Sequence, residues 1–142
     1  MGIGGDAGSM LGADAFIGSV QGSSASINDY QISARRAGCP GVCQDSSNDL
    51  ELIEGTEADG KTTLIFKRNL DTGDGDDYVI SDGETTNVIF AFGSSESVSY
   101  HGSSKESATI NFFTGDTATI MNDEWWNITD DSIDHFIKNI KK

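Results

Sequence analysis

The side chains with the clearest potential to bind a metal cofactor are His101 and Met10, which lie far apart in the chain. His101 is one of only two histidines among the 142 residues and lies in the segment VSYHG. Met10 lies in a turn rich in glycine and serine, where a methionine that packs into a core is less expected. A neutral imidazole and a neutral thioether form a known axial pair for haem iron and favour its ferrous form. The alternative for His101 is a partly buried, hydrogen-bonding side chain.

The two cysteines, Cys39 and Cys43, flank a Pro-Gly turn in the segment CPGVC. Such a turn can bring their Cα atoms near bridging distance, so we interpret the pair as a local disulfide, with two free thiols as the alternative. The sequence has no second cysteine pair that would complete a zinc site. Covalent haem attachment requires a C-x-x-C-H segment, which is absent, so any haem is expected to be held non-covalently.

A disulfide would place the chain in an oxidising compartment. The segment at Asn127 is an N-glycosylation acceptor, which agrees with secretion. We therefore expect an extracellular or lumenal protein, secreted or tethered through segments outside this chain. The two free thiols and an unused acceptor are the alternative.

The charge balance excludes two classes of partner. Nine Lys and Arg against 23 Asp and Glu give a net charge of −14, which repels nucleic-acid phosphates and anionic lipid surfaces. No apolar run approaches the roughly 20 residues that a membrane span requires. We expect neither nucleic-acid binding nor direct membrane insertion.

Short β-rich runs recur along the chain, separated by turn clusters such as ADGK, DTGDGD and FTGD. Apolar residues alternate in several of them, so that Leu64 and Phe66 share one face of a run. In a later run Ala108, Ile110 and Phe112 share a face. This pattern predicts an all-β fold, an antiparallel sandwich or barrel. The runs are ADAFIGSV, NDYQIS, TTLIFKR, DYVIS, TNVIFAF, SVSYH, SATINFF and TATIM.

The C-terminal segment has a different pattern. Thr129 or Asp130 can cap a helix whose apolar residues fall at spacings of three, four and seven. Acidic residues load its first turn and lysines its last, as the helix dipole favours. A short amphipathic helix is therefore predicted, with His135 beside its apolar stripe. The acidic segment DTGDGDD does not match the twelve-residue calcium-loop pattern and predicts a solvated turn.

Four segments resemble successive motifs of the DOMON domain, an extracellular β-sandwich that occurs as a haem b cytochrome or as a sugar-binding module. The resemblance covers residues 2–113. In cytochrome members the methionine of the first motif and the histidine of the last are the axial haem ligands, which implies those roles for Met10 and His101. The segments are GSMLGADAFIG, DYQISARRAGCPGVCQD, TTLIFKRNLDTGDGDDYVI and TNVIFAFGSSESVSYHG.

Members of this family usually begin with strands ahead of the segment that opens this chain. The resemblance thus implies an antiparallel immunoglobulin-like β-sandwich in residues 1–115 that is N-terminally incomplete, with further strands and a secretion signal upstream. Residues 116–142 are expected to add the last strand and the helix, packed on the sandwich or trailing it.

The resemblance implies an electron-transfer module and not an enzyme, because two axial ligands leave the iron no open position. Its partner is expected to be a redox protein or a membrane cytochrome domain, and Phe16, Phe92 and Tyr100 are expected to line the haem pocket. The alternative is a haem-free sandwich that binds a sugar or another small ligand, with Trp125 and Trp126 as stacking faces. A purely structural role is a third hypothesis.

Overall fold

The computed structural model describes residues 1–33 and 41–120. The fold of these residues is all-β, as predicted, and they contain strands but no helix. The nine strands are β1 (Gly2–Ile3), β2 (Asp14–Gln21), β3 (Ser24–Ile32), β4 (Val42–Gln44), β5 (Glu51–Ala58), β6 (Lys61–Lys67), β7 (Thr86–Ala91), β8 (Lys105–Ile110) and β9 (Thr117–Ile120).

The strands form two antiparallel sheets in a sandwich-like arrangement. Seven of them make one sheet in the order β4-β3-β2-β1-β7-β8-β9, and β5 and β6 make a hairpin that packs across β2 and β3. The hairpin closes through Asp59 and Gly60, both with positive φ (54° and 72°), as a two-residue turn between right-twisted strands requires. The Asp-Gly pair in the predicted ADGK turn therefore sets the register of the smaller sheet.

The main core lies on the inner face of the large sheet. Side chains that alternate along the strands meet there, and Leu50 and Ile80 from outside the strands complete it. Ala108, Ile110 and Phe112 all lie in this core, as their alternation predicts. The core residues are Ile3, Phe16, Ile27, Leu50, Ile80, Val88, Ala108, Ile110 and Phe112. A smaller cluster of Ala13, Ala15 and Ile32 occupies the opposite face.

Two of the predicted strands are wrong. Residues 77–81 form no strand because their backbone groups bond elsewhere: the N–H of Tyr78 donates to a carboxylate oxygen of Asp14, and that of Ile80 donates to the carbonyl of Leu70. Residues 97–101 belong to an irregular connection between β7 and β8, so His101 lies on no strand.

The sequence also failed to predict β1, β4 and β5. The first two are only two and three residues long. The third carries glutamates and a glycine, which strands usually lack, and its side chains are mostly exposed.

The C-terminal prediction divides at residue 120. Its first part is confirmed, because β9 pairs with β8 as the edge of the large sheet. The predicted helix, His135, Asn127 and the two tryptophans lie outside the described residues. Cys39 does too, so its disulfide with Cys43, which lies in β4, stays a prediction.

We expect Gly55→Ala in β5 to destabilise the protein by about 1–3 kcal/mol, because overpacking a core costs that much. A Cβ at Gly55 would overlap with Cβ of Ala25 and come within 3.3 Å of Cγ2 of Val20. Urea unfolding measures the effect. Gly75→Ala is the control, since a Cβ there meets open space. Equal stability of the two variants would contradict this packing of the hairpin.

Candidate functional site

His101 lies in the connection of residues 92–104, between β7 and β8. Its ring is tilted at 33° against that of Tyr100, with the centroids 5.4 Å apart. The backbone N–H of Ser104 donates to the carbonyl of His101, and the N–H of Phe92 donates to the carbonyl of Ser104. The Nδ1 atom of His101 is buried and has no hydrogen-bond partner among the described residues. Among the buried side-chain nitrogen and oxygen atoms of this connection, Nδ1 of His101 is therefore the one without a hydrogen-bond partner.

The same connection exposes large apolar side chains. Phe92 is 54% exposed, Val98 50% and Tyr100 86%. Single apolar residues on a surface are ordinary, whereas here three large ones lie within one short connection. Two of the predicted pocket residues, Phe92 and Tyr100, thus share the connection with His101.

Met10 lies in the turn between β1 and β2 and is 40% exposed. Its carbonyl accepts the N–H of Ala13. The register places this turn at the end of the sheet where β7 begins, because Ile3 pairs with Val88 in an antiparallel ladder. The His101 connection leaves the sheet where β7 ends. The structure therefore does not bring Met10 and His101 together.

Phe16 is the remaining predicted pocket residue, and it lies in the core. Its ring packs edge-on against Phe66 at a centroid distance of 5.7 Å. The guanidinium of Arg68 lies over the same ring, 5.4 Å from its centroid. The aromatic face of Phe16 is thus occupied by the protein's own side chains.

A buried charged cluster that the sequence did not predict lies beside Phe16. Arg68 directly follows β6, and its Nη2 atom lies 3.0 Å from Oδ2 of Asp14 and 3.1 Å from Oδ2 of Asp77. The side chains of all three are at most 5% exposed. Asp29, in β3, is 1% exposed. One of its carboxylate oxygens lies within 4.8 Å of a carboxylate oxygen of Asp14 and of one of Asp77. We refer to these four residues as the buried cluster.

Hydrogen bonds satisfy the cluster only in part. The N–H of Tyr78 donates to Oδ2 of Asp14, and that of Tyr30 to Oδ1 of Asp29. Nη1 of Arg68 donates to the carbonyl of Tyr78. No donor among the described residues reaches Oδ2 of Asp29. One buried carboxylate oxygen of Asp29 therefore has no hydrogen-bond donor among the described residues.

This arrangement changes the acidity of two carboxyl groups. Burial, reinforced by the neighbouring carboxylates of Asp14 and Asp77, raises the pKa of Asp29 to about 8, although Arg68 opposes the shift. Burial also raises the pKa of Asp14, against the hydrogen bond from Tyr78 and the charge of Arg68. At neutral pH the cluster by itself thus holds a proton on Asp29, shared toward Asp14.

A small polar pocket adjoins the cluster at the surface. Its volume is about 170 Å³. The N–H of Asp45 donates to the carbonyl of Asp29, and Nε2 of Gln31 donates to Asp76, the neighbour of Asp77. The carboxylates of Asp45, Asp74 and Asp76 lie within 4.8 Å of one another. The pocket is lined by Gln31, Cys43, Gln44, Asp45, Ser46 and Asp76.

The sequence carried a signal for the cluster. Asp14 and Phe16 lie two residues apart in a run whose alternation predicts a strand, so a carboxylate shares the face of a core aromatic. Asp29 is the cross-strand partner of Phe16, which register alone reveals. Asp77 was predicted to be solvated, and its burial depends on the irregular path of residues 71–78.

A sequence model of the DOMON domain matches residues 1–93 of the chain. The match spans β1 to β7 and includes Met10 and every member of the buried cluster, whereas His101 lies beyond it. No helix with the length and apolar character needed to cross a membrane occurs in the part of the chain that the structure describes.

The raised pKa of Asp29 predicts a pH-dependent stability. Its ordinary pKa is near 3.8, so between about pH 4 and 8 the unfolded chain loses a proton that the folded chain keeps. The free energy of unfolding should therefore fall as the pH rises through this window and level off above it. The slope contributed by Asp29 has a limit of about 1.4 kcal/mol per pH unit for one proton.

The measurement is urea unfolding from pH 5 to 9 in buffer with EDTA, for the wild type and Asp29→Asn. The amide keeps an acceptor for the N–H of Tyr30 and a donor toward Asp14, but it carries no titrating proton. The wild type should lose stability relative to this variant as the pH rises. Asp82→Asn, at an exposed position, is the control and should follow the wild type. Parallel curves for the wild type and Asp29→Asn would refute the shared proton.

Proposed function

The chain belongs to the DOMON family, and from this premise we propose that it binds haem b non-covalently and exchanges single electrons with a partner redox protein. The family includes haem-binding and ligand-binding members, so membership alone leaves the ligand open. The observation that carries the proposal is the buried, unpartnered Nδ1 of His101 within an apolar connection.

The residues around His101 fit a haem in two respects. A neutral imidazole with an unpartnered nitrogen has a lone pair or a proton available, and metal-bound histidines use one nitrogen for the metal and the other for a hydrogen bond. The exposed rings of Phe92 and Tyr100, with Val98, offer apolar surface that a macrocycle would cover. Haem burial would also remove this surface from water, which favours binding.

The second axial ligand in this proposal is Met10, on the strength of the family's motif. Bound haem would supply a one-electron iron couple, and a thioether ligand raises its potential. The chain's own residues would hold the group, with His101 and Met10 as its protein ligands and Phe92 and Tyr100 as apolar contacts. We propose no catalytic step on this chain.

The partner class follows from charge and family. A net charge of −14 favours a redox partner with a basic docking face, and long-range attraction would raise the association rate at low salt. A redox protein or a membrane cytochrome domain could present such a face. With the proposed disulfide of Cys39 and Cys43, we place the exchange in an extracellular or lumenal compartment.

One observation favours the haem-free alternative. The polar pocket beside the buried cluster, of about 170 Å³, is lined by carboxylate, amide and hydroxyl groups. Such groups hydrogen-bond to sugar hydroxyls, and the volume is below that of pockets for drug-sized ligands, about 300 Å³ and more. A single sugar ring is the ligand class that this pocket would take.

Spectroscopy of the purified protein with one equivalent of haemin tests the proposal. We expect tight binding and a low-spin, six-coordinate spectrum with sharp visible bands on reduction. His101→Ala should abolish stoichiometric binding. Met10→Ala should leave a five-coordinate or water-ligated iron that binds carbon monoxide, because the thioether is the weaker ligand.

The matched control is His135→Ala, which removes the other histidine of the chain and should leave the spectrum unchanged. An unchanged spectrum in His101→Ala would overturn the assignment of the ligand. Failure of the wild type to bind haem, together with saturable binding of a monosaccharide that Asp45→Asn weakens, would establish the alternative.

A further inference from the structure

We propose that Asp14, Asp29 and Asp77 form a binding site for one calcium ion, beside the guanidinium of Arg68. The site lies in the buried cluster, away from His101, and its existence does not depend on haem binding. The ligand is a hard divalent cation, which oxygen atoms coordinate.

The charge of the cluster favours a cation. Ionisation of all three carboxylates would leave two negative charges beyond the one that the guanidinium balances, and all four side chains are buried. Buried charges are normally paired or coordinate metals, since an isolated charge away from water is costly. No further cationic side chain is paired with this cluster among residues 1–33 and 41–120. A divalent cation is the ion that neutralises it completely.

One buried oxygen of Asp29 has no hydrogen-bond donor among the described residues. Oδ1 of Asp29 accepts the N–H of Tyr30, while Oδ2 receives no donor from the described residues although Asp29 is only 1% exposed. Buried polar atoms in folded proteins are almost always satisfied. Without a cation, the proton shared between Asp29 and Asp14 satisfies this oxygen, and a bound cation would take the place of that proton.

The spacing of the three carboxylates is compatible with a calcium ion. One oxygen from each of the three aspartates lies within 4.8 Å of the other two. Oxygens on calcium lie about 2.3–2.6 Å from the ion, so opposite ligands are about 5 Å apart. These separations are compatible with one calcium ion between the three carboxylates. One oxygen from each aspartate supplies three of the six to eight ligands that calcium takes, and calcium tolerates irregular geometry, whereas magnesium requires a near-ideal octahedron.

Further carboxylates lie at the surface next to the cluster. Asp45, Asp74 and Asp76 group at the polar pocket, and the N–H of Asp45 donates to the carbonyl of Asp29 in the cluster. A cleft lined by charges of one sign concentrates counter-ions. These outer residues are expected to raise the rate and the apparent affinity of binding without holding the ion.

The test is isothermal titration of EDTA-treated, desalted, haem-free protein with calcium chloride at pH 7.5. We expect one ion per chain, weaker binding of magnesium, and a rise in the unfolding temperature with calcium. Asp29→Asn should raise the calcium Kd about tenfold or more, because it removes a ligand charge. Asp77→Asn, a second variant in a different segment, should do the same, so that a folding defect in one variant does not decide the result.

The control is Asp82→Asn, at an exposed position outside both carboxylate groups, which should change the Kd by no more than about threefold at physiological salt. Each remaining outcome overturns the proposal. A wild type that binds no calcium at millimolar concentration shows that a proton satisfies the cluster. Calcium binding that survives in Asp29→Asn, or that is lost in Asp74→Asn alone, places the ion at the surface pocket. None of these outcomes depends on haem binding, so a failure of the calcium proposal is distinguishable from a failure of the proposed haem binding.

Discussion

The buried ion pairs of Arg68 determine how the inner face of the large sheet is covered. Its guanidinium joins the start of β2, through Asp14, to the irregular connection after β6, through Asp77. It also donates to the carbonyl of Tyr78, whose N–H returns to Asp14. Removing one partner of such a buried pair strands an uncompensated charge, which costs about 3–5 kcal/mol. These linked ion pairs and hydrogen bonds therefore hold the connection against the sheet in addition to its apolar contacts.

The connection needs this anchoring because it has no ladder of its own. Residues 68–82 cover the part of the sheet that the β5–β6 hairpin does not reach, and they deliver Leu70 and Ile80 to the core. Their backbone is held by short-range side-chain acceptors: Asp71 accepts the N–H of Gly73, and Asp74 that of Asp76. Gly4, with φ of +83°, completes the fit, since a Cβ at this position would overlap with the ring of Tyr78. The acidic turn itself thus stays at the surface, while the side chain of Asp77 at its end is buried against Arg68.

Sequence periodicity predicts this fold where strands are long and alternate, and fails where contacts are non-local. The strands β2, β3, β6, β7 and β8 have clear alternation, and the resemblance to the DOMON family supplied the architecture. The segment DYVIS has the residue types of a strand, but Asp14 and Leu70 take its hydrogen bonds. No local pattern distinguishes those partners from a neighbouring strand. The buried cluster was missed for the same reason, because Asp29 and Asp77 are 48 positions apart and only the register and the path of one connection unite them.

The two predicted haem ligands differ in how firmly the fold holds them. Two backbone hydrogen bonds hold the Met10 turn: the N–H of Ala13 donates to the carbonyl of Met10, and the N–H of Gly12 donates to the carbonyl of Ile32. Both donors lie just before Asp14 of the buried cluster. The His101 connection is held mainly at its base, between Phe92 and Ser104, and exposes its apolar residues. Segments with few buried contacts and exposed backbone bonds open at the lowest free energy. If both residues bind one iron, it is therefore the His101 connection that moves, and the turn of Met10 that stays.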